Sequence, residues 1–336
     1  MQNQLHKFSV APMMDWTDRH CRFFHRLITR DALLYTEMVT AEAVLHGKRD
    51  LLLGFSTDEQ PVALQLGGSD PKKLADAAAI GAAFGYGEIN LNVGCPSDRV
   101  QEGRFGACLM AEPELVGQCV RAMADVVNVP ITVKCRIGID DQDSERDFQR
   151  FIDVVADHGC RLFVVHARKA WLNGLSPKEN REVPPLDYER VYRLKAARPD
   201  LTIVINGGVA SIDAAVQHLN HVDGVMMGRA AYQTPWVLAD VDARIFGDAA
   251  VNPRTRADVM ADIANYADGH VARGGRLHAI ARHVLGIYHG EPGARGFRRH
   301  LSERGVLPGA TGDVLREATA LVEAAIARRE ELSQVA

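Results

Sequence analysis

The chain has 336 residues, 47% of them hydrophobic and 24% charged, with a net charge of −4. That is the make-up of a folded protein with a sizeable core, and it excludes disordered, collagen-like and disulfide-stapled classes. Six cysteines, at positions 21, 95, 108, 119, 135 and 160, form no C-x-x-C pair, so neither a zinc knuckle nor a disulfide framework is expected and the metal reading is none. The start, MQNQLHKF, is polar, and no stretch reaches the roughly 20 apolar residues that span a bilayer, so a cytoplasmic protein without a membrane partner is expected.

In chain order, short Val-, Ile- and Leu-rich runs recur at Phe8–Met13, Leu33–Met38, Val62–Leu66, Glu88–Val93, Ile131–Ile137, Leu162–Ala167, Thr202–Asn206 and Gly224–Met227. Apolar on both faces, they read as buried parallel strands. Helical patterns lie between them: one starts at Ser69-Asp70-Pro71, with a cap and then proline in the first turn, and others cover Pro113–Val127, Asp143–His158 and Ser211–Leu219. Eight alternations over about 240 residues predict an α/β fold, a (β/α)8 TIM barrel, at residues 1–247; a doubly wound open sheet is the alternative, since periodicity does not reveal closure. Past Phe246 the strand pattern stops, and a linker spans Gly247-Asp248 to Pro253. Residues 254–336 predict an all-α bundle with helices at Arg256–Arg273, Leu277–His289, Ala294–Arg304 and Asp313–Arg329. From Val251 onward there are 12 arginines, no lysine and 10 carboxylates, net +2, against −6 for the rest. An all-arginine basic excess suits planar contacts to phosphate and bases, although a solvated helix face has the same composition.

The segment Glu88 to Val100, EINLNVGCPSDRV, carries the most chemistry. An apolar strand (Ile89, Leu91, Val93) runs into Gly94-Cys95-Pro96, which sets one thiol on a tight turn at a strand end. In a barrel the active site sits at the C-terminal strand ends. Those ends carry Pro12, Met13 and Met14; Gln65; Asn90 and Asn92; Lys134 and Arg136; His166 and Arg168; Asn206-Gly207-Gly208; and Gly228-Arg229. Each has a bland alternative as a core or turn residue, but together they define one polar rim. Glycine-rich loops after strands seven and eight are where barrel enzymes bind phosphate through backbone N–H groups, and Arg229 adds a charge-assisted contact. A phosphate site facing ring-directed polar groups such as Lys134 and Gln65 fits a phosphorylated planar cofactor, flavin mononucleotide (FMN). No G-x-G-x-x-G fingerprint is present for a Rossmann nicotinamide site.

These stretches resemble the flavin-dependent tRNA-dihydrouridine synthases, and within them the subfamily that acts on uridines 20 and 20a of the D-loop. The likeness rests on SVAPMMDWTDRHCRFF, LLYTEMVTAEAVLHG, PVALQLGGSDP, EINLNVGCPSDRVQEGRFGACLM, VKCRIGIDD, VHARKAWLNGLSPKENREVPPLDY, INGGV, GVMMGRAAY and GARGFRRHLSE, and runs from residue 9 to about 303. It implies that Cys95 is the general acid and that FMN is held by Pro12, Met13, Met14, Gln65, Lys134, His166, Asn206, Gly207, Gly208, Gly228 and Arg229. It implies that Asn92 faces the target uridine and that NADPH is the reductant. Hydride delivered to C6 leaves negative charge near C5 and the C4 carbonyl, so an acid must protonate C5; a thiol of ordinary acidity, about 8.5, is protonated at neutral pH. Either Lys134 or His166 would stabilise the anionic carbonyl or flavin.

A uridine inside folded tRNA must be flipped out to reach a barrel mouth, which calls for a grip on nearby phosphates. Lys178 and Arg181 of the loop after strand six, and Arg295, Arg298 and Arg299 of the helical segment, are the residues expected to touch tRNA. Trp171 is placed either to stack on a base or to pack on the barrel. No obligatory protein partner is implied. Two other readings compete: an FMN-dependent small-molecule oxidoreductase of dihydropyrimidine or dihydroorotate type, and a non-enzymatic tRNA-binding module on a retired barrel.

Overall fold

A computed structural model describes residues 2–97, 103–248 and 254–335. Its strands β1 (Phe8–Val10), β2 (Leu33–Thr40), β3 (Val62–Gly67), β4 (Glu88–Val93), β5 (Ile131–Arg136), β6 (Leu162–His166), β7 (Thr202–Asn206) and β8 (Gly224–Met227) close in that order into a barrel. All eight neighbouring pairs are parallel, including the closure of β1 on β8 at Phe8–Val225 and Val10–Met227. The expected strand positions hold, and the open-sheet alternative does not.

Polar caps at the turns explain why helices follow the strands. Thr40 accepts from the Ala43 amide ahead of Ala41–His46, and Asp70 from the Lys73 amide with Pro71 in the first turn of Pro71–Ala83. Ser144 and Asp147 form a reciprocal box at the start of Glu145–Asp157, and Asp187 and Ser211 cap Tyr188–Ala197 and Ile212–His218. Inside the barrel, Ala11, Leu33, Tyr35, Ala63, Leu162, Val164, Val204 and Met226 make one buried cluster.

The chain packs as two compact units. One comprises the residues up to Arg19 with Asp31–Gly228; the other comprises His20–Arg30 with the residues from Arg229 onward. The second unit thus takes in residues 20–30 and 229–247, which the sequence reading sets within 1–247. The reason lies in apolar pattern: Phe24 is fully buried among Val259, Met260, Ile263, Val284, Phe297, Leu315 and Val322, with Phe23, Leu27 and Trp236 against them. Its later helices are Arg256–Ala272, His278–Val284, Ala294–Arg304 and Asp313–Val335. The second is shorter than its expected Leu277–His289. It stops before Gly286, where an added Cβ would lie 2.2 Å from the Gln233 carbonyl. Gly247 ends a π-helical turn over Asp242–Phe246 in the left-handed conformation, and the expected linker beyond Asp248 lies outside the described residues.

Candidate active site

All six β4 residues are buried, but they divide by parity. Ile89, Leu91 and Val93 form the apolar set. Glu88, Asn90 and Asn92 form a polar one that bonds to neighbouring strands. Asn92 Nδ2 donates to Gln65 Oε1 (2.9 Å), Gln65 Nε2 to Asn90 Oδ1 (2.8 Å), and Asn90 Nδ2 to Thr132 Oγ1 (2.8 Å). Thr132 and Tyr35 hydroxyls both donate to Glu88 Oε1, at 2.7 and 2.6 Å, and His6 Nε2 lies 3.2 Å from Glu88 Oε2. At the upper end Asn92 Oδ1 accepts the amides of Gly94 (3.1 Å) and Cys95 (3.0 Å).

This arrangement fixes the turn that bears Cys95. Its thiol is half-buried and donates to Ser97 Oγ at 3.5 Å, while its carbonyl accepts from the Ala107 amide at 2.9 Å. Arg136, 3% exposed, clamps the same turn: Nε donates to the Gly94 carbonyl (2.8 Å), and Nη1 to the carbonyls of Lys169 (3.0 Å) and Asn180 (3.1 Å).

Cations dominate the rim. Lys134 Nζ donates to Asn206 Oδ1 (3.0 Å), and Asn206 Nδ2 donates to the Met226 carbonyl (2.8 Å), joining β5, β7 and β8. Burial, with Arg136 beside it, lowers the Lys134 amine from 10.5 to about 8. His166 is held well below the ordinary imidazole value by burial and then by Arg136, Lys134, Arg168 and Arg181, so its ring is neutral at physiological pH. The charged groups that shape the field at His166 are all cations. Such a donor set suits an anionic or electron-rich occupant, as a phosphorylated flavin would be.

The glycines divide by what surrounds them. Gly207 and Gly208 have φ of +114° and +70°; an added Cβ would lie 2.6 Å from His166 Cδ2 at the first and 2.7 Å from both Leu186 Cδ1 and Tyr188 Oη at the second. Tyr188 Oη also donates to the Gly207 carbonyl at 2.8 Å. These two are therefore required by the protein's own packing. Gly228 is different: an added Cβ would meet only Ala11 Cβ, at 3.9 Å, so the fold leaves a methyl-sized space there.

The remaining predicted residues fall as follows. Pro12, Met13 and Met14 follow β1; the Met13 amide donates to Thr17 Oγ1 at 2.9 Å and Met14 is 55% exposed. Lys178 and Arg181 are exposed on the loop after β6, at a 3-10 turn over Glu179–Arg181. That loop is pinned by fully buried Asn180, whose side chain takes the Trp171 amide and donates to the Trp171 and Leu175 carbonyls. Trp171 is half-buried, with Lys169 Nζ 4.1 Å from its ring centroid. Arg229 opens the short helix Arg229–Gln233 directly after Gly228 and belongs to the second unit. In that unit, helix Ala294–Arg304 buries Ala294, Phe297 and Leu301, leaves Arg295 and Arg299 exposed and sets Arg298, partly buried, on the flank of the buried face. The sequence reading placed Arg136 on the rim but not its clamp on the turn, and missed Glu88, Thr132 and Asn180 as organising residues. The polar alternation Glu88, Asn90, Asn92 inside a strand of a buried sheet was the available signal.

A closed parallel barrel with a thiol and a cation cluster on its C-terminal rim has the build of a barrel enzyme. The dihydrouridine synthase family model matches residues 9–324, and the chain belongs to that family of oxidoreductases. It is similar to proteins named tRNA-dihydrouridine(20/20a) synthase: 56% identical over 317 residues to that of Vibrio parahaemolyticus, covering 94% of this chain and 97% of the relative. The Yersinia pestis relative is 58% identical over 323 residues (96% and 93%), and that of Escherichia coli K12 58% over 317 (94% and 91%). Among solved structures, a 2-naphthoyl-CoA reductase complex shares the fold, with a TM-score of 0.54 at 10% identity over 70% of this chain and 49% of its own.

Proposed function

We propose that the protein reduces the C5–C6 double bond of uridines 20 and 20a in the tRNA D-loop to dihydrouridine, with FMN as cofactor, NADPH as reductant and Cys95 as general acid. The observation that carries this reading is the 56–58% identity, over more than nine-tenths of both partners, to relatives named for that activity. The small-molecule oxidoreductase reading has no use for the arginine face of helix Ala294–Arg304.

The rim residues fit FMN. Gln65, Lys134, His166 and Asn206 would hold the ring, and Gly207, Gly208, Gly228 and Arg229 the phosphate, with Pro12, Met13 and Met14 lining the site. The methyl-sized space at Gly228 supports close approach of a ligand to the backbone there. When bound, FMN supplies the hydride that goes to C6. Lys134, still largely protonated at neutral pH, supplies positive charge to an anionic ring or carbonyl. His166, neutral, serves as a hydrogen-bond partner instead. Asn92 spends Oδ1 on the turn amides and so offers the uracil its remaining Nδ2–H, a donor for a carbonyl oxygen. Cys95 Sγ–H gives its proton to C5. Lys178, Arg181, Arg295, Arg298 and Arg299 neutralise tRNA phosphates.

The test is to incubate the purified protein with NADPH and unmodified tRNA and to map dihydrouridine by mass spectrometry. Dihydrouridine at 20 and 20a is expected. A protein that oxidises NADPH with a free pyrimidine such as uracil or orotate as acceptor but leaves tRNA unchanged belongs to the small-molecule reading.

A further inference from the structure

We infer that Glu88, Thr132 and Asn90 are positioning residues for the Cys95 turn, acting through a hydrogen-bond chain that runs in one direction up the inside of the barrel. The inference rests on the reading of Cys95 as the proton donor.

The chain has two ends of unambiguous polarity. The peptide amides of Gly94 and Cys95 can only donate. At the other end, Glu88 Oε1 receives two hydroxyls at once, from Thr132 at 2.7 Å and Tyr35 at 2.6 Å, and acts as an acceptor. Between them every group both accepts and donates. Thr132 Oγ1 gives its proton to Glu88 and accepts from Asn90; Asn90 accepts from Gln65; Gln65 accepts from Asn92; and Asn92 accepts from the turn. Only one orientation of the three side-chain amides satisfies every link. Reversing any one would set two donors or two acceptors face to face in a site where Gln65, Asn90 and Thr132 are at most 1% exposed.

The consequence reaches the chemistry. Gln65 and Asn92 are locked with their carbonyl oxygens engaged, so what they have left to present is N–H. The Cys95 turn is held by Asn92 on one side and by the Arg136 clamp on the Gly94 carbonyl on the other. Thr132, on β5, is therefore coupled to the thiol through four hydrogen bonds although it touches neither Cys95 nor Asn92 through any of them. Tyr35 shares the Glu88 oxygen and its hydroxyl also meets that of Thr132, but it forms no link between Glu88 and the turn, so its loss leaves every link in place and makes it the control.

The experiment compares Thr132→Val, Thr132→Ser and Tyr35→Phe with the wild type by thermal midpoint, single-turnover reoxidation of reduced enzyme by unmodified tRNA, and iodoacetamide alkylation of Cys95 followed by peptide mass spectrometry. Val is isosteric with Thr and removes both links made by the Thr132 hydroxyl, the one to Glu88 and the one from Asn90. Thr132→Val should alkylate at Cys95 several-fold faster, because the turn loosens. It should also turn over about 10²-fold more slowly, the cost of misplacing a reacting group by around 1 Å. Thr132→Ser should restore both. Tyr35→Phe should lower the thermal midpoint comparably yet leave Cys95 alkylation unchanged. If Thr132→Val alkylates as the wild type does, or if Tyr35→Phe changes Cys95 reactivity as much as Thr132→Val, the chain is general core packing and the inference fails. If Thr132→Val does not fold, Thr132→Ser and Tyr35→Phe still decide: altered Cys95 reactivity in Tyr35→Phe alone overturns it. Alkylation reads the turn directly, so it stands even where the wild type makes no dihydrouridine, an outcome that would remove the tRNA reading instead.

Discussion

Cys119, Cys135 and Cys160 are enclosed, and burial pushes each thiol up to about 12. Cys21 packs 3.6 Å from His25 Nε2, and Cys108 donates to the Phe105 carbonyl with its acidity weakened by burial. Cys95 alone stands on the turn after β4. Replacing it with Ala should slow single-turnover reoxidation by tRNA about 10²–10⁴-fold, the usual worth of a general acid, while flavin content holds; Ala at Cys119, Cys135 or Cys160 should leave that rate near wild type. Lys134 gives a pH prediction. Its amine is near 8 in the folded protein against 10.5 unfolded, so the folded state disfavours the proton. The resulting destabilisation is absent above the unfolded value, grows as pH falls from there toward 8, and is complete below. Lys134→Met should therefore raise the apoprotein's thermal midpoint at pH 7 and lose that advantage above pH 10.5. The same substitution should weaken FMN binding at pH 7. In the wild type, FMN affinity should decline as pH rises through about 8, and a flat profile on flavin titration would take Lys134 out of the cofactor site.

At the scale of elements, the loops after β7 and β8 look alike in sequence but are not alike in constraint. Gly207→Ala sets a methyl against His166 at a φ of +114° and should lower the thermal midpoint of the apoprotein. Gly228→Ala adds a methyl where the fold has space, so the apoprotein should be as stable as wild type while FMN is lost on gel filtration. Retention of full flavin absorbance by Gly228→Ala would place the cofactor phosphate elsewhere. Gly208→Val tests packing more than cofactor approach, since Leu186 and Tyr188 already occupy the space its side chain needs.

For the molecule as a whole, the charge separation matters most. The basic excess from Val251 onward is all arginine, and helix Ala294–Arg304 carries Arg295 and Arg299 on the side away from Phe297 and Leu301, with Arg298 on its flank. Others in the unit are spent on carboxylates: Arg256 on Glu291, Arg316 on Asp268 and Asp313, Arg254 on Asp262. Arg295→Ala with Arg298→Ala should weaken tRNA binding and leave flavin reduction by NADPH unchanged. The slope of log affinity against log salt should become shallower by about 1 for each phosphate that is no longer neutralised. A tRNA already carrying dihydrouridine should lose affinity in parallel. An unchanged slope in filter-binding measurements would make this a solvated helix face.

The order of elements was legible because it is written in local terms: parallel strands are apolar on both faces, and Asp70, Ser144 and Ser211 announce helix starts by chemistry that acts within three residues. Cys95 was legible for the same reason, as Gly94 and Pro96 shape its turn from either side. Closure of the barrel was not, because the β1–β8 pairing joins residues more than 200 positions apart and leaves no periodic trace. Membership of helix Arg19–Ile28 in the helical unit was hidden likewise, since its apolar stripe says that it is covered but not by what. The sequence could place Lys134 and His166 on one rim, but not say which is charged: that depends on burial and on cations from β5 and the β6 loop converging on one imidazole. The polar chain from Glu88 to the Cys95 turn lies furthest from the sequence's reach. Each link crosses between strands or folds back along one, and only the barrel's stagger sets Asn90 against Gln65 and Thr132.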